Sequence, residues 1–190
     1  QVDAWLGQLL DGIAALPQAE SVYVLVVSDH GQGRYTNRDA LVLDDWTHHA
    51  PRKQDAVFTL DEGDRLAADA RVLMAEGINV LAVMSNDYRA VPDDAPAQMT
   101  AFATHFGFPF PYLVDEDQSV GRAWGAVCTP DFFGLNAAGE LQYRGRLDDA
   151  RMGDAARREP ELLNAMREIA ETGQGPREQV ASMGCSIKWR

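Results

Sequence analysis

The sequence predicts an α/β fold with a mixed central sheet, in which a parallel unit comes first and an antiparallel hairpin follows. Three observations carry this. Residues 22–27 (VYVLVV) and 78–84 (INVLAVM) are near-continuous apolar runs, the pattern of strands buried on both faces. A helix-period segment closed by Gly77 leads into the second run, as in a crossover between parallel strands. Later, Phe132, Phe133 and Leu135 are separated from Leu141 and Tyr143 by NAAGE, a hairpin-type turn.

The elements follow in order. Val2, Trp5, Leu6, Leu9, Leu10 and Ile13 recur at helical spacing, so residues 2–16 read as an amphipathic helix that Pro17 ends. The 22–27 strand empties into SDHGQG, a loop with two glycines but no phosphate-loop lysine and no dinucleotide fingerprint. It is either a ligand loop at the C-terminal end of a strand or a plain turn. Residues 34–55 read as a surface loop, with a short strand at Leu41 to Leu43. His48 and His49 lie near Asp44 and Asp45, all metal-binding types, but their spacing matches no structural zinc pattern, and no metal is expected.

Residues 56–60 (AVFTL) look like another short strand. Thr59 and Glu62 then form a Thr-x-x-Glu capping box for a helix running to about Glu76, with Leu66, Ala70, Leu73 and Met74 on its apolar side. Asp94 and Pro96 suit the cap and first turn of a further helix, with Met99, Phe102, Ala103 and Phe106 as its buried stripe. His105 falls beside that stripe as a helix-end residue. Pro109 and Pro111 restrict Phe108 to Val114 to an edge strand or entry loop. Asp115 to Asp117 precede a short helix whose N-terminus favours acids. Arg144 and Arg146 follow on or just past the hairpin and either hold an anion or complement nearby carboxylates. Residues 159–171 form the last helix, with Pro160 at its start. The remaining tail is Gly-, Gln- and Ser-rich and ends in MGCSIKWR; if extended, it puts Cys185, Ile187 and Trp189 on one side.

A chain of 190 residues suits one domain, 1–190, with a divergent region at 1–60 and an extended tail at 172–190. A formal charge of −12 argues against nucleic acid and anionic membrane partners. No apolar run approaches the roughly 20 residues of a membrane span, and no targeting pattern opens the chain. Two cysteines far apart do not make a disulfide scaffold; they fit a reducing, cytoplasmic setting or a thiol pair with a chemical role. No cofactor is expected, and the sequence fixes no oligomeric state.

The chemistry concentrates in AWGAVCTPDFF, residues 123–133. Cys128 lies two residues before Pro130, and a proline at a strand start needs a positional reason. It is either an ordinary strand-initiating proline beside a buried cysteine, or a cis proline that turns the backbone toward a site.

From about Asp64 onward the chain resembles the thioredoxin-like redoxins related to the peroxiredoxin and thiol-specific antioxidant group. The matching stretches are GINVLAVMSND, VPDDAP, FPFPYLVDEDQSVGRAWGAVCTPDFF, LQYRGRLDD and MGCSIKWR. The resemblance implies a thioredoxin-like three-layer α/β sandwich and a cis proline at Pro130 facing the redox centre. It implies that Thr129 offers backbone groups to an extended substrate. Cys128 and Cys185 are positions that carry cysteine in this subgroup, which makes Cys128 the expected reactive thiol and Cys185 its resolving partner. A thiol or disulfide protein, or a small-molecule peroxide, is the implied substrate.

The Cys-x-x-Cys-Pro segment of such proteins is absent. If the 22–27 run is the first core strand, Ser28, Asp29, His30 and Gly31 stand in its place. If AVFTL is that strand, Asp61 to Gly63 do. The alternative function is a non-catalytic protein that binds a peptide or protein along the cis-proline groove. A third reading places an unrelated enzyme site around Asp29, His30, His48 and His49.

Overall fold

The computed structural model describes residues 23–27, 60–150 and 155–190. The expected helix at 2–16, the strand at 41–43, residues 56–59, and the residues Ser28, Asp29, His30, Gly31, His48 and His49 lie outside the described residues.

The described strands are β1 (Tyr23–Val27), β2 (Asn79–Met84), β3 (Tyr112–Val114), β4 (Asp131–Leu135) and β5 (Leu141–Gly145). The helices are α1 (Leu60–Ala75), α2 (Pro96–Phe106), α3 (Ser119–Ala123) and α4 (Glu161–Thr172), with 3₁₀ turns at Pro92–Asp94 and Ala155–Arg157. The strands form one sheet in the order β3-β2-β1-β4-β5. β1 pairs in parallel with β2, and β2 with β3; β4 runs antiparallel to both β1 and β5. The central strand among those described is therefore YVLVV, from the apolar run that the sequence marks as buried on both faces. This decides between the two candidate core strands, because Leu60 is already the first residue of α1.

Period-two alternation sorts the strand residues onto two faces. Val80, Ala82, Phe132 and Tyr143 pack with Leu66, Ala70 and Leu73 of α1 and Leu162, Met166 and Ile169 of α4. Leu81, Val83, Phe133 and Leu135 belong to a second cluster with Ala126 and Ile187, against which Val120 and Trp124 pack. Ile187 comes from the C-terminal tail, so the tail is part of the core.

Local chemistry explains the element ends. Gly77 and Gly107 take positive φ after α1 and α2. The cap of α2 is Ala95 rather than the expected Asp94; Asp94 is buried and accepts a hydrogen bond from Asn86 Nδ2 at 2.8 Å. The prolines at 109 and 111 precede β3, which stands at the edge of the sheet among the described residues, as expected. The turn of the β4–β5 hairpin is held by Asn136, whose Oδ1 accepts from the amides of Ala138 and Glu140, both at 3.0 Å. The two hairpin arginines complement carboxylates: Arg146 forks onto Glu161 at 2.6 and 2.7 Å, and Arg144 reaches Asp131 at 2.9 Å. Among the described residues no helix is long and apolar enough to cross a membrane.

A buried charge network ties α1 to the chain that follows β5. Arg65 Nε donates to Asp148 at 2.7 Å. Arg158 bridges Asp148, at 3.2 Å, and Asp69, at 2.9 Å. Glu62 lies in the first turn of α1 beside this network. Burial pushes its carboxyl up to about 7, Arg65 opposes that, and Asp148 adds to it.

Because the folded-state pKa is raised, the folded protein holds this proton more tightly than the unfolded chain. The stability that Glu62 confers is complete below about pH 4.5 and is lost as pH rises through about 7. At about 1.4 kcal/mol per pKa unit the loss reaches at most about 3 kcal/mol. Urea unfolding of Glu62→Gln against the parent should therefore show little difference near pH 4.5 and a more stable variant at pH 8. Parallel pH profiles for the two proteins would refute it.

Candidate functional site at the cis proline

The site begins where β1 ends. Val27, its last residue, is paired with Asp131, so the chain leaves β1 beside Pro130. The Thr129–Pro130 peptide is cis. Cys128, Thr129, Pro130 and Asp131 are all buried.

The C-terminal tail runs antiparallel to this segment. Thr129 N–H donates to Cys185 O at 2.8 Å, and Cys185 N–H donates to Thr129 O at 3.2 Å. The two residues thus form a directly opposed, doubly hydrogen-bonded pair. Thr129, expected to offer its backbone to a substrate, has both groups engaged by the protein's own tail. Cys128 is one residue from this pair, and Cys185 is half of it. The two cysteines are not joined by a disulfide.

Hydrogen bonds fix the tail on both sides of Cys185. Upstream, Arg146 N–H donates to Val180 O at 3.1 Å, and Ser182 Oγ donates to Gly145 O. Downstream, Lys188 N–H donates to Asn86 Oδ1 at 2.7 Å, and Asp87 N–H to Lys188 O at 2.8 Å. Gln118 Nε2 donates to both Ser85 O and Lys188 O at 2.8 Å, while its Oε1 accepts from Arg190 N–H at 2.8 Å. Gln118 is 1% exposed and takes φ 61, a left-handed conformation uncommon outside glycine. Asp115 completes the seat. Its carboxylate accepts from Ser85 Oγ at 2.8 Å and from the amides of Val120 and Gly121 at 3.2 and 2.9 Å. The acid expected to favour the start of α3 therefore acts through specific hydrogen bonds. Trp189 closes the end, with the Arg122 guanidinium 4.4 Å from the centre of its ring.

The electrostatics separate the two thiols. Burial pushes the Cys128 thiol up to about 11; the Asp131 carboxylate adds to this, and Arg144 partly offsets it. In keeping with a protonated thiol, Cys128 Sγ donates to Pro130 O at 3.6 Å. Asp131 is itself held by Arg144 and by Val127 N–H at 3.3 Å. Cys185 is only partly buried.

The structure thus brings Cys128, Thr129, Pro130 and Cys185 together. Of the alternative junction, Gly63 lies inside α1, packed against Phe106. His105 is exposed and packs edge-on to Phe106, at 4.7 Å between ring centres. Among the described residues no cluster of His, Cys, Asp or Glu could hold a metal ion. Sequence reasoning missed Asn86 and Gln118. The signal for Asn86 was a polar Ser-Asn-Asp run at the end of an apolar strand.

Two solved structures resemble the chain over most of its length. A hypothetical protein from Sinorhizobium meliloti is 29% identical with a TM-score of 0.70, over 91% of this chain and 82% of that one. An uncharacterized conserved protein from Geobacillus kaustophilus is 30% identical with a TM-score of 0.68, over 90% of this chain and 78% of the other. The comparison with curated proteins returns no match. Two family models match: Redoxin over residues 65–159, and type I phosphodiesterase / nucleotide pyrophosphatase over residues 1–108. The stretch common to both, 65–108, contains β2 and α2, which are built into the same sheet and core as the cis-proline strand.

The difference between the thiols is open to direct measurement. Iodoacetamide should modify Cys185 well before Cys128 at pH 7, and the Cys128 rate should climb with pH toward about 11. Peptide mass mapping after timed quenching reads both rates. Equal rates at pH 7 would contradict the burial argument.

The sheet order, the cis proline and the match over 65–159 agree: the fold is thioredoxin-like, and the chain belongs to the redoxin family through those residues and to the type I phosphodiesterase / nucleotide pyrophosphatase family through residues 1–108.

Proposed function

We propose that the protein is a thiol-dependent redox protein whose working thiols are Cys185 and Cys128. The carrying observation is the pairing of Cys185 with Thr129 at a cis proline, inside a redoxin-family segment. The expected roles are exchanged. With its thiol pushed up to about 11, Cys128 is a poor first nucleophile at neutral pH, whereas Cys185 is partly exposed.

With a disulfide RS–SR′, the Cys185 thiolate attacks one sulfur. The Cys185–SR bond forms, the S–S bond breaks, and R′S⁻ leaves and takes up a proton. Cys128, after losing its proton to solvent, attacks Cys185 Sγ, expels RS⁻ and leaves a Cys128–Cys185 disulfide. Two electrons pass from the protein thiols to the substrate, and an external thiol reductant returns them. With a peroxide ROOH, the first step gives Cys185 sulfenic acid and ROH. Condensation with Cys128 then gives the same disulfide and water. Thr129, next to Pro130, positions Cys185 through the backbone pair. The alternative of a non-catalytic protein with an open peptide groove is disfavoured, because that backbone is already paired.

The test is turnover of a disulfide or peroxide with a thiol reductant. Cys185→Ser should abolish it. Cys128→Ser should stall at the mixed disulfide, seen by mass as an adduct on Cys185. No turnover above background, or full turnover in both variants, would sink the mechanism.

A second reading is hydrolysis of a phosphodiester or pyrophosphate bond by residues 1–59, favoured by the family match over 1–108. Asp29 and His30, at the exit of the first strand, are its candidate residues. Hydrolysis of a chromogenic phosphodiester that is lost in Asp29→Asn and His30→Ala would support it. No hydrolysis with any common divalent cation added would exclude it.

A further inference from the structure

An exposed backbone edge binds an extended polypeptide by main-chain hydrogen bonding. At the cis proline, the residue with groups to give is Thr129, and both are taken by Cys185. The occupant is not loosely placed. It is hydrogen-bonded to Gly145 and Arg146 before Cys185 and to Asn86, Asp87 and Gln118 after it. Asn86 and Gln118 are 2% and 1% exposed; Asn86 Oδ1 and both ends of the Gln118 amide bond tail backbone. Ile187 is buried in the second core cluster, so undocking the tail would expose a full aliphatic side chain. A removable cover would not share its anchor with the sheet's own core.

The tail also fits closely. A Cβ on Gly184 would sit 2.0 Å from the Thr129 carbonyl oxygen. Only glycine allows the tail this approach. Further along, a Cβ on Gly121 would meet Ser85 Oγ at 2.7 Å and the Trp189 ring at 3.0 Å. Both ends of the strap therefore rest on positions where a side chain cannot stand.

We infer that residues 181–190 are a permanent internal occupant of the cis-proline edge, so that the site excludes extended polypeptides and admits only small disulfides or peroxides that reach Cys185. The substrate class rests on the redox reading above; the closed groove does not.

The test uses the chain's own tail as probe. A synthetic peptide of residues 181–190, with its cysteine replaced by serine, is titrated against three proteins: the full chain, Gly184→Ala, and a chain ending at residue 180. Hydrogen exchange of the Thr129 amide is followed in each. In the full chain that amide should exchange as slowly as those of β4, and the peptide should not bind. In Gly184→Ala, whose Ile187 anchor is intact, the amide should exchange at least about tenfold faster and the peptide should bind at least about tenfold more tightly. The shortened chain should bind it more tightly still. Peptide binding to the full chain as tight as to the variants overturns the inference, as does its failure to bind any form.

A separate arm compares turnover of a small aromatic disulfide with that of a disulfide-bonded protein. The full chain should favour the small one by at least about tenfold, and Gly184→Ala should narrow the ratio. Equal turnover of both by the full chain overturns the substrate-class part. Turnover of neither, nor of hydrogen peroxide, removes the redox reading and with it the substrate class, while the closed groove is decided by the peptide and exchange arms alone.

Discussion

Two hydrogen bonds between Thr129 and Cys185 set the character of this molecule. Each satisfies a main-chain group that burial would otherwise strand, and a buried unpaired donor or acceptor costs about 1–3 kcal/mol. The β1–β4 pairing begins only at Asp131, which leaves Thr129 with a free edge. Something must pair with that edge, be it water, a ligand or another stretch of chain. Here it is the tail, and the pairing propagates. Once Cys185 is fixed, Ile187 falls into the second core and Lys188 reaches the end of β2. The second core is in this sense closed by backbone pairing at the site.

The same burial shapes the chemistry. A buried thiol beside the Asp131 carboxylate keeps its proton, and Arg144 only partly offsets the effect. The Asp131–Arg144 pair is best understood as a fastener. Arg144 also donates to Gly125 O at 2.7 Å, so one guanidinium ties the turn before Cys128 to the strand after it. That rigidity holds Cys128 next to the Thr129–Cys185 pair, but it does so with a carboxylate that disfavours the thiolate. Position and reactivity are opposed at Cys128 and are not opposed at Cys185, which has partial solvent access.

Much of the fold was legible in the sequence, because the features that reveal it are local. Near-continuous apolar runs marked β1 and β2, and Asn136 with Gly139 marked the hairpin. The proline pair marked β3 as an edge. Pro130 was legible as a special position, since a proline has no N–H for a ladder. The docking of the tail was not. Asn86 and Gln118 act on Lys188 and Arg190 across most of the described chain, and nothing in their own neighbourhoods announces that distance. Asp94 went to Asn86 instead of capping α2 for the same reason: a buried amide needed an acceptor, and tertiary demand outweighed a local preference. The preference of Arg144 and Arg146 for carboxylates was readable only as one of two outcomes, because their partners are fixed by strand register.

The absence of a Cys-x-x-Cys pair and the presence of a complete cis-proline half are physically compatible. The hydrogen bonds that build that half come from residues at the ends of β2 and β5, the approach to α3 and β4, and the tail. They run through Ser85, Asn86, Asp115, Gln118, Thr129, Gly145 and Arg146, and these groups satisfy one another. A thiol pair at the other half adds reactivity but no backbone partner that this network requires. Its absence therefore leaves the seat of the tail energetically whole. What remains is a site whose surviving sulfurs sit on the cis-proline strand and on the strap that covers it. Any thiol chemistry must then run between chain and tail, and the strap that supplies one thiol also decides what can approach it.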